Sequence, residues 1–159
     1  MVAKRLMKKI NRGKTPLFLQ MEATECGAAS LGAVLAYFGL YVPLETLRIE
    51  CGVSRDGSKF FNMVKAARHF GMQAAGFRYT PEALREKSMP AIIHWNFNHF
   101  VVLEGFKDNN VYLNDPAAGH RTVSWEEFGI SFTGIVLLLS PGAEFRKGGA
   151  PVSTAVTII

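Results

Sequence analysis

Apolar residues in the first half of the chain recur at intervals of three and four. In the second half they bunch into short runs broken by Gly, Pro and Asn. The first pattern is helical and the second belongs to strands. From about Glu25 to Phe38, the residues Leu31, Val34, Leu35 and Phe38 mark one helical face, and Gly39 is a natural stop. The other face carries Ala28, Ala29, Gly32, Ala33 and Ala36, so this helix is expected to be largely buried. A second, short helix is predicted from Pro43 to Glu50, ended by Gly52. Ser54-Arg55-Asp56-Gly57 reads as a turn, with Ser58 as N-cap of a third helix that runs to His69 and closes at Gly71.

Strands are expected over Met72 to Tyr79, Pro90 to Trp95, Asn98 to Phe106, Val111 to Asn114 and Arg121 to Val123, with a last, strongly apolar one from Gly134 to Leu139. A short helix from Pro81 to Lys87 has Pro at its first turn. Asp108-Asn109-Asn110 supplies a hairpin turn, and Ser124 with Glu127 three residues on is a capping box for a one-turn helix. Helices first and an antiparallel sheet second give an α+β domain.

Charge changes this picture at one end only. Residues 1–14 hold Lys4, Arg5, Lys8, Lys9, Arg12 and Lys14 and no acid. Removing those six from eighteen basic residues leaves twelve against thirteen acidic ones, so the net +5 sits in an arm and the body is near neutral. A nucleic-acid partner is not expected. Val2, Leu6 and Ile10 recur every fourth residue among the lysines, which predicts either a short basic amphipathic helix that contacts an anionic membrane surface or a frayed solvated arm. The expected organisation is an arm at 1–14, a domain at 15–140 and a Gly/Pro/Ser-rich linker at 141–159 that ends in an apolar stub. The linker contains no run long enough to span a membrane. Two cysteines and no apolar signal segment predict free thiols in a reducing compartment.

Candidate chemistry gathers at Cys26. It is placed at a helix N-terminus, where unpaired backbone N–H groups favour the thiolate, and small residues follow it. Gln20, six residues upstream, can aim a side-chain amide at a developing oxyanion. Four histidines are candidate bases: His69, His94, His99 and His120. His99 opens an apolar strand, and Asp115 ends the next one. Two antiparallel strands on a short hairpin bring those positions to the same rim of the sheet. Cys26, His99 and Asp115 therefore meet the requirement for nucleophile, base and orienter in kind and order. His94 ranks second as base; His69 and His120 read as solvent-facing, and Cys51 as structural. No CxxC, HxxxH or HExxH spacing favours a metal.

Gln20, Glu25-Cys26-Gly27-Ala28-Ala29, Ser54-Arg55-Asp56-Gly57, Asn98-His99-Phe100-Val101-Val102-Leu103 and Asn114-Asp115-Pro116-Ala117-Ala118-Gly119 stand in one order along the chain. Together they resemble the bacteriocin-processing peptidase domain found at the N-terminus of peptidase-containing ABC transporters, over about residues 15–140. The resemblance implies a papain-like fold, a helical half packed on an antiparallel sheet. It implies a cysteine endopeptidase that removes the leader of a ribosomally made peptide after a Gly-Gly or Gly-Ala pair. Cys26 would be nucleophile, His99 general base, Asp115 its orienter, and Gln20 an oxyanion donor beside the Cys26 backbone N–H.

Further implications concern partners. The leader would bind as an amphipathic helix in a shallow groove, for which Met63, Ala67 and Phe70 of the third helix are nominated. A narrow cleft would enforce small residues, with Trp95 and Phe97 as candidate walls. The domain itself would need no cofactor, ATP being used by the transmembrane and nucleotide-binding domains of a parent transporter, on the cytoplasmic side of the bacterial plasma membrane. Two other readings remain in view: a leader-docking module without proteolysis, and another papain-like acyl-transfer enzyme.

Overall fold

The Ala/Gly-rich apolar run forms helix α1, Cys26–Tyr37, preceded by one 3-10 turn, Ala23–Glu25. Every residue from Cys26 to Ala36 is buried, as expected for a helix without a polar face. Small residues are forced by neighbours. A Cβ on Gly32 would stand 2.6 Å from Leu47 and 2.8 Å from the Phe18 ring, and one on Gly27 would stand 2.7 Å from Met63 Sδ. The structure, a computed structural model, describes residues 11–54, 57 and 59–151. Helix α2 is Leu44–Glu50 behind Pro43, and α3 is Phe60–His69. Lys59, not Ser58, stands at the N-cap position of α3, and Ser58 lies outside the described residues.

The described residues hold one strand that was not expected, β1 (Asn11–Arg12), and then six in the expected order: β2 (Met72–Arg78), β3 (Ala91–Trp95), β4 (His99–Lys107), β5 (Asn110–Asp115), β6 (Gly119–Ser124) and β7 (Phe132–Pro141). The main path is β2-β7-β3-β4-β5-β6, paired antiparallel throughout, and β1 pairs with β4. The last apolar run is interior, as its composition predicts. Helix α4 is Pro81–Leu84, shorter than expected, and α5 is Trp125–Ser131, where the Ser124 hydroxyl accepts from the Glu127 N–H at 3.1 Å.

Alternation along the central strands divides the interior in two. Ile92, Val102, Leu137 and Leu139 face α1, α2 and α3, whereas Ile93, Val101, Leu103 and Val136 face Phe128 of α5 and Leu84 of α4. The sheet thus separates two cores, and the helical half packs on one of its faces. This is the α+β, papain-like arrangement expected.

Both ends of the domain depart from the sequence reading. Asn11 and Arg12 are not helical; they pair with Phe106 and Gly105 and extend the line of β3 along β4. The four-residue apolar spacing that suggests a helix falls on residues 1–10, outside the described ones. At the other end, residues 142–149 do not leave the body as a free linker. Phe145 packs on the helical core, the Tyr41 N–H donates to Gly148 O at 2.9 Å, and the Gly148 N–H donates to Gly39 O at 3.1 Å. The apolar stub at 152–159 lies outside the described residues.

Candidate active site

His99 begins β4 and Asp115 ends β5, and the β4–β5 register brings them to one rim. His99 Nε2 lies 2.7 Å from Asp115 Oδ1. That carboxylate also accepts the Ala117 N–H at 2.8 Å, and Arg121 stands 3.8 Å from its second oxygen. Helix α1 packs on β4, with the Ser30 hydroxyl on Phe100 O at 3.3 Å, and so delivers Cys26 to the same rim. His99 also hydrogen-bonds the Cys26 thiol, so the imidazole is shared between the sulfur and the carboxylate.

Burial raises the Cys26 pKa, but the hydrogen bond with His99, backbone N–H groups at Phe100 and Gly27 and the charge of His99 outweigh it, so the thiol titrates below its usual range. Burial alone would lower His99; its hydrogen bonds to Asp115 and Cys26, with their charges, instead push it up to about 9. Asp115 is pulled below the ordinary carboxylate range against its own burial, chiefly by the His99 hydrogen bond. These shifts mark Cys26, His99 and Asp115 as one coupled cluster, in which the protonated imidazole favours the charged forms of the thiol and the carboxyl on either side of it.

The sequence matches the peptidase C39 family over residues 14–144. This chain belongs to that family. It is therefore a cysteine peptidase domain, and relatives of the C39 domain agree with its fold. It is 37% identical over 134 residues to a probable microcin-H47 secretion/processing ATP-binding protein of Escherichia coli, covering 84% of this chain and 19% of that protein. It is likewise 37% identical over 134 residues to the colicin V secretion/processing ATP-binding protein of the same organism. The chain thus spans about a fifth of the length of these relatives (19%). Among solved structures it resembles a double glycine motif protease from an AMS/PCAT transporter, in complex with its leader peptide. The TM-score is 0.81 at 57% identity, over 82% of this chain and 94% of that one. The peptidase domain of Streptococcus ComA shares the fold, with a TM-score of 0.74 at 24% identity over 79% of this chain and 97% of that one.

Within the C39 domain, the Gln20 backbone N–H donates to the O of Pro116, the residue after Asp115, at 2.9 Å. Its side-chain Nε2 donates to Glu22 O at 3.0 Å, which fixes the amide orientation, because the flipped amide would set two acceptors face to face. Oε1 is buried with no hydrogen-bond partner among the described residues. One of the two amide hydrogens remains beyond the Glu22 contact. His94 is engaged elsewhere: its Nδ1 meets Thr133 Oγ1 at 3.0 Å, and burial and the charge of His99 lower its pKa. Cys51 is fully buried with its thiol pushed up to about 12, as a structural cysteine should be. His69 is exposed, as expected. His120 is half engaged: its Nε2 lies 2.9 Å from Thr15 O and 3.3 Å from buried Glu104.

Several nominated contacts are misplaced. Met63 and Ala67 are fully buried and cannot line a groove; Met63 lies behind Gly27, and Phe70 is half-buried against the same core. Trp95 is also core, its ring 5.9 Å from that of Phe128. Gly27, Ala28 and Ala29 are all buried, and the interior leaves no room for a side chain on Gly27. Phe97 is the nominated wall that faces outward: it is 78% exposed, holds a left-handed φ of 63°, and its ring lies 6.3 Å from that of His94. Sequence reading passed over Glu25 and Arg48. Glu25 appears only as a motif neighbour of Cys26, yet it is a buried carboxylate bonded to Arg48.

Proposed function

We propose that this C39 domain is a thiol endopeptidase that cuts a precursor peptide after a Gly-Gly or Gly-Ala pair and so frees it from its leader. The Cys26 thiolate adds to the carbonyl carbon of the second small residue. The resulting oxyanion takes the Cys26 backbone N–H and the free hydrogen of Gln20 Nε2. The C–N bond then breaks, and the His99 imidazolium gives its proton to the departing amine of the core peptide, leaving a thioester on Cys26. Water, deprotonated by neutral His99, adds to the thioester. Release of the leader acid restores the thiolate–imidazolium pair. Asp115 orients His99 and favours its charged form throughout. Nucleophile, base and water come from the chain and solvent, so the domain calls for no cofactor.

The observation that carries this reading is the 2.7 Å His99–Asp115 contact behind a thiol held below its ordinary titration range. The double glycine specificity draws on the likeness to the transporter protease solved with its leader. The leader is read as an amphipathic helix, as the sequence resemblance implies. Phe61, 65% exposed, and Ile49, 78% exposed, supply the outward apolar surface of the helical half that Met63 and Ala67 do not. Phe97 is the outward wall beside the scissile pair. Transmembrane and ATP-using domains are the proposed partners, with this domain on the cytoplasmic side. Among the described residues no helix is long and apolar enough to cross a membrane.

Mass spectrometry of a synthetic leader–core peptide with a Gly-Gly junction, incubated with the chain and with Cys26→Ala, tests the proposal. A single cut after the second glycine, absent in the variant, is expected. Binding without any cut would replace peptidase by docking module, and transfer of the leader to an added amine in preference to water would indicate an acyl-transfer enzyme.

A further inference from the structure

Glu25 is 1% exposed, and a carboxylate so placed must be paired to be tolerated. Its Oε1 accepts the backbone N–H groups of Met21 and Glu22, both at 2.8 Å. Its Oε2 lies 2.5 Å from Arg48 Nε, across from α2. Met21 and Glu22 precede the 3-10 turn, so their N–H groups have no place in a helical ladder, and the Glu25 side chain supplies what the backbone cannot. The Glu25 N–H also donates to Glu22 O at 3.1 Å. The Glu22 residue is therefore held by Glu25 at both its N–H and its carbonyl. That same carbonyl is the acceptor for Gln20 Nε2.

We infer that Glu25, braced by Arg48, is a positioning residue that sets the Gln20 amide for the oxyanion. The inference rests on the peptidase reading above. Two oxyanion donors are proposed, the Cys26 backbone N–H and Gln20 Nε2, and Glu25 stands between them. Its own peptide carries the first, and its hold on Glu22 fixes the second. Among the described residues, Gln20 is otherwise secured only at its backbone, by Pro116 O. Without the carboxylate, Met21 and Glu22 lose their anchor, Glu22 O is free to turn, and the amide loses the acceptor that aims it.

The test is a double-mutant cycle on the Gly-Gly leader–core peptide, using the full chain. Glu25→Gln keeps the shape but not the charge. It is expected to lower kcat by about tenfold or more, as small misplacements of oriented groups do, with KM changed less than twofold. Alkylation of Cys26 by iodoacetamide should keep its rate, since that reaction forms no oxyanion. In a Gln20→Ala background, Glu25→Gln should cost nothing further. Arg48→Met, a change at a side chain 43% exposed, should give a smaller loss with the same non-additivity, and it carries the cycle if Glu25→Gln does not fold. Losses that multiply in the double variant, or alkylation that falls in step with kcat, overturn the inference. If Gln20→Ala alone leaves kcat intact, Gln20 is not an oxyanion donor and the inference falls with that role, while Cys26→Ala still reports on the peptidase reading.

Discussion

His99 Nε2 and Asp115 Oδ1 lie 2.7 Å apart although sixteen residues separate them in sequence. The contact is produced by a hairpin: β4 and β5 run antiparallel from the Asp108–Asn109 turn, where Asp108 takes a left-handed φ of 54°. His99 and Asp115 are therefore both anchored in the sheet, and their pairing sets the direction in which His99 titrates.

Activity should fall on the alkaline side near the pH at which His99 loses its proton, about 9. Asp115→Asn removes the hydrogen bond and charge that hold this proton, so the alkaline limb of kcat/KM should move to lower pH. Stability follows the same sign. The folded His99 value is raised from 6.5 to about 9, so its contribution is full below 6.5 and is lost as pH rises through about 9. Melting temperatures of the chain and of His99→Gln across a pH series should converge toward the alkaline end.

The two thiols should be told apart by a single reagent. Iodoacetamide at neutral pH is expected to add once, at Cys26, and to leave Cys51, whose thiol is buried beside Glu50 and titrates at about 12. Peptide mapping after alkylation reads this directly. His99→Ala should slow the addition at neutral pH by removing the hydrogen bond and charge that lower the Cys26 pKa.

Gly27 and Met63 should be energetically coupled. An added Cβ meets Met63 Sδ at 2.7 Å in a fully buried setting, so Gly27→Ala should cost about 1–3 kcal/mol in denaturant unfolding. Combined with Met63→Ala, the loss should be smaller than the sum of the two single losses, because the vacated space accepts the new methyl group.

Phe97 and Trp95, adjacent to the same catalytic strand, should behave in opposite ways. Phe97→Ala should keep the fold and increase cleavage at junctions bulkier than glycine, measured as the ratio of kcat/KM for paired substrates. Trp95→Ala removes a core ring and should cost about 3–5 kcal/mol of stability before any specificity is read.

Thr15 should matter out of proportion to its size. Glu104 occupies a bulge in the β4–β5 register, and its buried carboxylate accepts both the N–H and the hydroxyl of Thr15, at 2.5 and 2.8 Å. Asn114 Nδ2 donates to the same hydroxyl and to Pro16 O, both at 2.9 Å. Thr15→Val strips the hydroxyl from two buried polar partners and should destabilise the chain by about 1–3 kcal/mol in equilibrium unfolding.

What could be read in the sequence was whatever a local rule fixes. The α1 stop at Gly39, with φ of 103°, the Ser124 cap and the shared rim of His99 and Asp115 all follow from glycine conformation, capping chemistry and hairpin geometry. What escaped depends on which face meets which neighbour. Met63 and Ala67 satisfy helical spacing equally for a groove and for a core, and only the packing of α3 on α1 assigns them to the core. Trp95 follows from which of two alternating faces of β3 meets α5. Asn11 and Arg12 continue a basic stretch whose local spacing is helical, but the unpaired length of β4 beyond β3 takes them as a strand. Glu25 did carry a signal: Glu22-Ala23-Thr24-Glu25 has the spacing of a capping box, which anticipates a carboxylate bonded back to the chain before α1.

Residues 142–148 are laced to Gly39 and Tyr41 at the C-terminal end of α1, and Cys26 opens that helix at the other end. A helix of twelve residues is a stiff strut about 18 Å long. A shift of residues 142–148 would therefore be felt at the base of this strut, with the Cys26 sulfur at its opposite end.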